Sequence, residues 1–105
     1  MQHLDGRVAV ITGASSGIGL GIARELARHG MKIVMVSQSA DRLAAAAEEV
    51  RALGAEVLEV PTDVAKKAEL ERLAEKTLER FGAVHVLVNN AGAVSYTHLT
   101  LPTKA

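Results

Sequence analysis

A glycine-rich stretch near the start of the chain, T-G-A-S-S-G-I-G from Thr12 to Gly19, carries the clearest chemical signal in the sequence. The apolar, β-branched run Val8–Ile11 precedes it, and a helical pattern of apolar residues follows it. A helix that begins at a glycine turn offers unpaired N–H groups and the positive end of its dipole, and both attract phosphate. Glycine lets a ligand approach the backbone closely enough to use those groups. The stretch therefore predicts a phosphate-binding turn between a strand and a helix.

The elements that must position this turn alternate along the chain. Four strand-like runs are predicted, at Val8–Thr12, Lys32–Val36, Glu56–Val60 and Val84–Val88. A first helix is predicted over Gly17–His29. Helical spacing of apolar residues predicts a second helix with Leu43, Ala46, Ala47, Val50 and Leu53, and a third with Leu70, Leu73, Thr77, Leu78 and Phe81. A glycine that suits a helix C-terminus follows each of them, at Gly30, Gly54 and Gly82.

This alternation of strands and helices predicts the fold class. Three of the runs are rich in Val and Ile, as expected of strands covered on both faces, whereas the mixed run Glu56–Val60 is expected near an edge. Short connections between alternating elements predict a parallel sheet with right-handed crossovers. With a glycine turn after the first strand, they indicate an α/β, doubly wound (Rossmann) fold. We expect a truncated sheet of about four strands in the order 3-2-1-4.

Composition excludes several classes of partner. With 105 residues, of which 49% are apolar, the chain forms at most one domain and has enough apolar residues for a core. The formal net charge is zero and there is no basic run, so we expect no nucleic-acid partner. The absence of cysteine excludes thiolate metal sites, and no histidine pair has convincing ligand spacing, so no metal is predicted. No apolar run approaches membrane-spanning length, so we expect a cytoplasmic protein without a membrane partner.

Two further motifs complete a family pattern. Asp63-Val64 follows the third predicted strand, and Asn89-Asn90-Ala91-Gly92 follows the fourth. Together with the glycine stretch, these motifs resemble those of the short-chain dehydrogenases/reductases, and the resemblance extends from Leu4 to Ala93. It implies a nicotinamide dinucleotide cofactor and hydride transfer to or from a small-molecule carbonyl or secondary alcohol. It also implies that the full-length parent is a homo-oligomer.

The resemblance implies specific roles for the residues of the glycine stretch. Gly13, Gly17 and Gly19 shape the turn against the cofactor pyrophosphate and let the helix pack closely on the strand. Ser15 and Ser16 offer hydroxyl and N–H groups to phosphate or ribose. The residue that lies over the pyrophosphate and lends its backbone N–H is Ile18. A tight turn without a ligand is the alternative interpretation of these glycines.

Roles for the two later motifs are also implied by the resemblance. Asp63 accepts a hydrogen bond from the adenine amino group, and Val64 flanks the ring. Asn89 supports the central sheet and the cofactor. Two small residues let the chain pass beside the nicotinamide-side ribose: Ala91 and Gly92. The alternatives are that Asp63 caps the third helix and that Asn89 and Asn90 are ordinary turn formers.

The end of the second strand bears on the choice between NAD and NADP. An acidic side chain there would bind the ribose 2′-hydroxyl of NAD and repel the 2′-phosphate of NADP. The chain instead has Ser37 followed by Gln38, which with Ser39 can hydrogen-bond a 2′-phosphate that Arg42 could also reach. The arginine or other basic residue that NADP-dependent members often have at the positions of Gln38 or Ser16 is absent. The cofactor is therefore predicted to be NADP or NAD, with NADP favoured.

No catalytic residue can be assigned in this sequence. The family's catalytic Ser and Tyr-x-x-x-Lys lie beyond the Asn-Asn-Ala-Gly turn, whereas Tyr96 is followed four residues later by Thr100, and Lys104 has the wrong spacing. We expect residues 1–93 to be the N-terminal part of a dinucleotide-binding domain, without catalytic activity of its own. Residues 94–105 resemble translated sequencing adapter and are expected to be a non-native tail. A parent that binds dinucleotide without catalysing a reaction is the alternative function.

Overall fold

The structure, a computed structural model, describes residues 4–90 of the chain. Strands and helices alternate strictly along this range. In order, they are β1 (Val8–Thr12), α1 (Gly17–Arg28), β2 (Lys32–Ser37), α2 (Ala40–Arg51), β3 (Val57–Pro61), α3 (Lys67–Phe81) and β4 (Val86–Val88). The predicted residues Ala91 and Gly92 and the proposed tail 94–105 lie outside the described residues.

The four described strands form one parallel sheet in the order β3-β2-β1-β4, which confirms the predicted topology. In the register of the central strand, Val10 lies between Val34 of β2 and Leu87 of β4. The mixed strand β3 lies at an edge, as its composition predicted. Since all strands are parallel, the segments that follow β1, β2, β3 and β4 meet at the same, carboxyl edge of the sheet.

Side chains alternate between the two faces of the sheet and build a core on each. On one face, Ile11 of β1 and Ile33 of β2 pack with buried residues of α1 and α2, including Leu43. On the other face, Val10 and Val34 pack with buried residues of α3. Burial of each large apolar side chain stabilises the fold by about 1.5–3 kcal/mol. Helices on both faces of a parallel sheet confirm the doubly wound fold.

Some element ends differ from prediction. α2 ends at Arg51, so Leu53 lies in the following turn, where it is 42% exposed. β4 begins at Val86 rather than Val84, because the ring of His85 takes part in the pairing: its Nδ1 accepts the N–H of Val8 at 2.9 Å. The ends of α1, β2 and β3 differ from the predicted ones by a single residue. Gly82 is the C-cap of α3, as predicted. His29 and Ala52 hold that position in α1 and α2, with the predicted glycines just beyond.

Candidate functional site

A cleft of about 270 Å³ opens at the carboxyl edge of the sheet, where β1, β2 and β3 end. Small, apolar and uncharged polar side chains form most of its wall, and a single carboxylate joins them. The lining residues are Gly13, Val36, Ser37, Gln38, Thr62, Asp63, Val64 and Ala65. In open parallel sheets, ligands bind at this edge, outside the carboxyl ends of the strands.

The glycine turn joins β1 to α1 along one side of the cleft. Gly13 and Gly17 have φ angles of +61° and +56°, in the left-handed region that favours glycine. Gly19 packs so closely that a Cβ atom there would collide with the carbonyl oxygen of Gly13 and lie 2.8 Å from the side-chain nitrogen of Asn90. The turn therefore requires glycine for backbone conformation at two positions and for close packing at a third.

The N-terminus of α1 is open to an anion. Its first backbone hydrogen bond runs from the N–H of Leu20 to the carbonyl of Ser16, at 3.3 Å. Helix geometry therefore leaves the N–H groups of Gly17, Ile18 and Gly19 without an acceptor inside the helix. Ser16 is the N-cap, but its side chain makes no capping hydrogen bond, and the first turn contains no acidic residue. The helix dipole and these three donors together are the kind of groups that attract phosphate at a helix N-terminus.

Asn90 and Thr12 tie the glycine turn to β4. The Asn90 amide nitrogen Nδ2 donates to the carbonyl of Gly13 at 3.3 Å, and its backbone N–H donates to Oγ1 of Thr12 at 2.9 Å. Thr12 is fully buried, and its hydroxyl in turn donates to the carbonyl of Val88 at 3.4 Å. The sequence left the role of Asn90 open. The available signal was the strand order, because adjacent parallel strands β1 and β4 bring the residues that follow them together.

Ser15 and Ser37 meet at the end of β2. The Ser37 hydroxyl donates to the Ser15 hydroxyl at 2.9 Å. The N–H of Ala14, which is fully buried, donates to the carbonyl of Val36 at 3.0 Å and fixes the glycine turn to β2. Gln38 is exposed and lines the cleft. This end of the cleft therefore offers hydroxyl and amide groups but no carboxylate.

Ser39 and Arg42 were expected near a 2′-phosphate, but neither of them lines the cleft. The Ser39 hydroxyl is the N-cap of α2 and accepts the N–H of Arg42 at 3.4 Å. The side chain of Arg42 is exposed and is not among the residues that line the cleft. The structure therefore groups Ser37 and Gln38 with the glycine turn, but not Ser39 and Arg42.

The loop after β3 forms the opposite wall. The N–H of Thr62 donates to the carbonyl of Ser37 at 2.9 Å, which joins this loop to the end of β2. Asp63 does not occupy the N-cap of α3, a position held by Lys66. Its Oδ1 instead accepts the N–H of Ala65 at 3.0 Å, within the loop. Asp63 and Val64 are half-buried and both line the cleft, and Thr62 is a lining residue that the sequence did not single out.

Two further residues of the predicted site are exposed at the protein surface. Ile18 is 73% exposed above the open helix terminus. Asn89 is exposed directly after β4.

Within residues 4–90, no cluster of three metal-binding side chains occurs. In the same range, no helix is long and apolar enough to span a bilayer.

Comparison with known proteins identifies the family. The family model described as short chain dehydrogenase matches residues 7–104. The chain belongs to the short-chain dehydrogenase/reductase family. An uncharacterized oxidoreductase of Staphylococcus saprophyticus is 43% identical over 101 residues, which cover 95% of this chain.

Solved structures of the short-chain dehydrogenase/reductase family have the same fold. L-sorbose reductase of Gluconobacter frateurii, complexed with NADPH and L-sorbose, is 46% identical, with a TM-score of 0.82 over 88% of this chain. A family member from Burkholderia phymatum, in complex with NAD, is 47% identical, with a TM-score of 0.79 over 83% of this chain. The chain spans 43% of the Staphylococcus protein and 35% and 31% of these two structures.

Proposed function

We propose that this chain supplies the cofactor-binding part of an NAD(P)-dependent oxidoreductase, which transfers hydride between a nicotinamide and a small-molecule carbonyl or secondary alcohol. The observation that carries the proposal is the open N-terminus of α1, with three backbone donors beside a turn that requires glycine. The relatives solved with NADPH and with NAD support a nicotinamide dinucleotide as the ligand. The nicotinamide supplies the hydride chemistry, and the residues described here bind and orient the cofactor.

Four parts of the proposed cofactor are assigned to separate groups of residues. The pyrophosphate is assigned to the N–H groups of Gly17, Ile18 and Gly19, because they are the donors at the positive end of the α1 dipole. The adenosine ribose is assigned to Ser15 and Ser37 at the end of β2. The adenine is assigned to the wall formed by the loop after β3, in which Asp63 and Val64 line the cleft. The nicotinamide side is assigned to Asn89, Ala91 and Gly92.

We further propose that NADP is preferred over NAD. The end of β2 carries hydroxyl and amide groups, and the nearest carboxylate among the lining residues, Asp63, belongs to the opposite wall. A 2′-phosphate therefore meets hydrogen-bond donors without the like charge that an acidic residue at position 37 would add. Because no arginine is among the residues that line the cleft, we propose a moderate preference rather than a strict one.

Titration of the 105-residue chain with NADPH tests the proposal. Enhancement of the NADPH fluorescence is expected to saturate, with a dissociation constant below about 1 mM. NADP⁺ should displace the bound NADPH, whereas tripolyphosphate, which has comparable charge but no adenosine, should compete much more weakly. A linear, unsaturable signal, or equal displacement by tripolyphosphate, would mean that the cleft binds anions without recognising a dinucleotide.

A further inference from the structure

Glu69 contacts the loop that forms the adenine wall of the proposed cofactor site. It is the third residue of α3, and its carboxylate reaches back past the helix start to accept the N–H of Asp63, with Oε1 2.7 Å from the nitrogen. The contact is half-buried and joins residues six positions apart. Within residues 4–90, Glu69 forms no ion pair with a cationic side chain. Its contact with Asp63 is therefore a hydrogen bond to the backbone and not part of a surface charge network.

This contact differs from an ordinary capping box. There, a glutamate at the third helical position accepts the N–H of the N-cap residue. In this chain the N-cap is Lys66, and its N–H donates instead to the carbonyl of Asp63 at 2.9 Å. Glu69 is thus left to accept the N–H of Asp63 itself. The carbonyl of Asp63 therefore fixes the start of α3, and Glu69 accepts its hydrogen bond from the loop rather than from the N-cap residue.

Asp63 is consequently held at three points. Its N–H donates to Glu69, its carbonyl accepts from Lys66, and Oδ1 of its carboxylate accepts the N–H of Ala65 at 3.0 Å. A carboxylate can accept about four hydrogen bonds through its two oxygens, so Asp63 retains acceptor capacity for a ligand. The bond to Glu69 fixes the plane of the peptide that enters Asp63, and thereby the direction in which its side chain leaves the loop.

We propose that Glu69 is a positioning residue for the adenosine end of the cofactor. It acts by fixing the backbone of Asp63, and so of the wall that Asp63 and Val64 present to the cleft. This inference rests on the proposed function. The ligand chemistry concerned is an adenine whose exocyclic amino group donates to the Asp63 carboxylate. Glu69 itself is not assigned a contact with the cofactor.

A purely structural role for Glu69 makes different predictions. An acidic residue in the first turn stabilises a helix through the dipole, whether or not it reaches Asp63. Glu69→Asp keeps this charge but shortens the side chain by one methylene group, so the bond to Asp63 is lost. Glu69→Gln removes the charge but keeps an acceptor oxygen at the same reach. If Glu69 positions Asp63, the Gln variant should keep wild-type binding of the adenosine end and the Asp variant should lose it. If Glu69 acts only through the helix dipole, the Asp variant should behave as wild type and the Gln variant should not.

The test compares Glu69→Gln, Glu69→Asp and Glu69→Ala with wild type in the 105-residue chain. Glu71→Ala is the matched control, because Glu71 is an exposed glutamate two residues later on the same helix. The probes are 5′-AMP, whose adenine needs the loop wall, and inorganic pyrophosphate, which needs only the glycine turn. We expect Glu69→Ala and Glu69→Asp to weaken 5′-AMP binding about tenfold and to leave pyrophosphate binding within about twofold. Glu69→Gln and Glu71→Ala should bind both probes as wild type does.

The outcomes separate this inference from the proposed function. Wild-type affinity for 5′-AMP in Glu69→Ala, or equal losses of 5′-AMP and pyrophosphate binding, would overturn the positioning role and leave the proposed function in place. A wild-type chain that binds neither probe would overturn both. If Glu69→Ala does not fold, the comparison of Glu69→Gln with Glu69→Asp still decides between the positioning role and the dipole role. Loss of 5′-AMP binding in the Gln variant with retention in the Asp variant would contradict the inference.

Discussion

Gly19→Ala is expected to abolish measurable NADPH binding and to lower the free energy of unfolding by about 1–3 kcal/mol. The added Cβ would collide with the carbonyl oxygen of Gly13, a backbone atom that cannot move without shifting the whole turn. The same methyl group would lie 2.8 Å from the Asn90 amide nitrogen, which itself donates to Gly13. Relief of both contacts requires α1 to move away from β1, and the pyrophosphate donors move with it.

Gly21→Ala is the matched control for this substitution. Gly21 lies in the same helix, two residues further on, and a Cβ there would meet no atom within 4 Å. Alanine is favoured over glycine in a helix interior by about 0.8–1.0 kcal/mol, so this variant should be as stable as wild type or slightly more so. Chemical denaturation and NADPH titration of both variants provide the readouts. Unimpaired NADPH binding by Gly19→Ala would show that the close packing of α1 on the turn is not required.

Ser37→Asp is expected to weaken NADPH binding by about ten- to a hundredfold while leaving NADH binding unchanged or improved. Two unit charges about 4 Å apart repel by about 1 kcal/mol in water and by about 4 kcal/mol at an effective dielectric constant of 20. The cleft is open to solvent on one side, so the expected loss lies between these values. For NADH, the new carboxylate would instead accept a hydrogen bond from the ribose 2′-hydroxyl.

Ser37→Ala tests whether the effect of Ser37→Asp comes from the added charge or from the lost hydroxyl group. It removes the 2.9 Å hydrogen bond to Ser15 and one donor for the 2′-phosphate without adding a charge, so it should weaken NADPH binding by a small factor and NADH binding by no more than that. Dissociation constants for NADPH and NADH, measured on the three proteins at the same ionic strength, give the specificity ratio directly. A ratio that does not change in Ser37→Asp would place the 2′-position of the ribose away from the end of β2.

The fold followed from the sequence because its local signals agreed with one another. Uninterrupted apolar runs such as Val8–Thr12 can be strands covered on both sides only if helices pack on each face, and the intervening segments supplied those helices. The glycine turn was also predictable, because only glycine adopts positive φ at Gly13 and Gly17 without strain. The start of β4 was less predictable, since the His85 ring replaces part of the strand pairing there.

The side-chain contacts within the site were harder to predict. The bonds from Asn90 to Gly13 and Thr12 join residues 77 and 78 positions apart, and they depend on the register of β4 against β1. The contact of Glu69 with Asp63 depends on a rotamer choice at a helix start where the local rule favours a different acceptor pairing. Periodicity constrains neither of these contacts. The roles of Ala91 and Gly92 remain predictions from the family pattern.

In the proposed function, the backbone amides that open α1 hold the diphosphate of a dinucleotide. Backbone ¹⁵N–¹H spectra of the chain, recorded during titration with NADPH, test it most directly. We expect the largest shifts at the amides of Gly17, Ile18 and Gly19, and we expect these shifts to saturate with the dissociation constant given by fluorescence. Spectra in which these three amides do not move, or in which the largest shifts fall at the opposite edge of the sheet around Gly30 and Gly54, would contradict it.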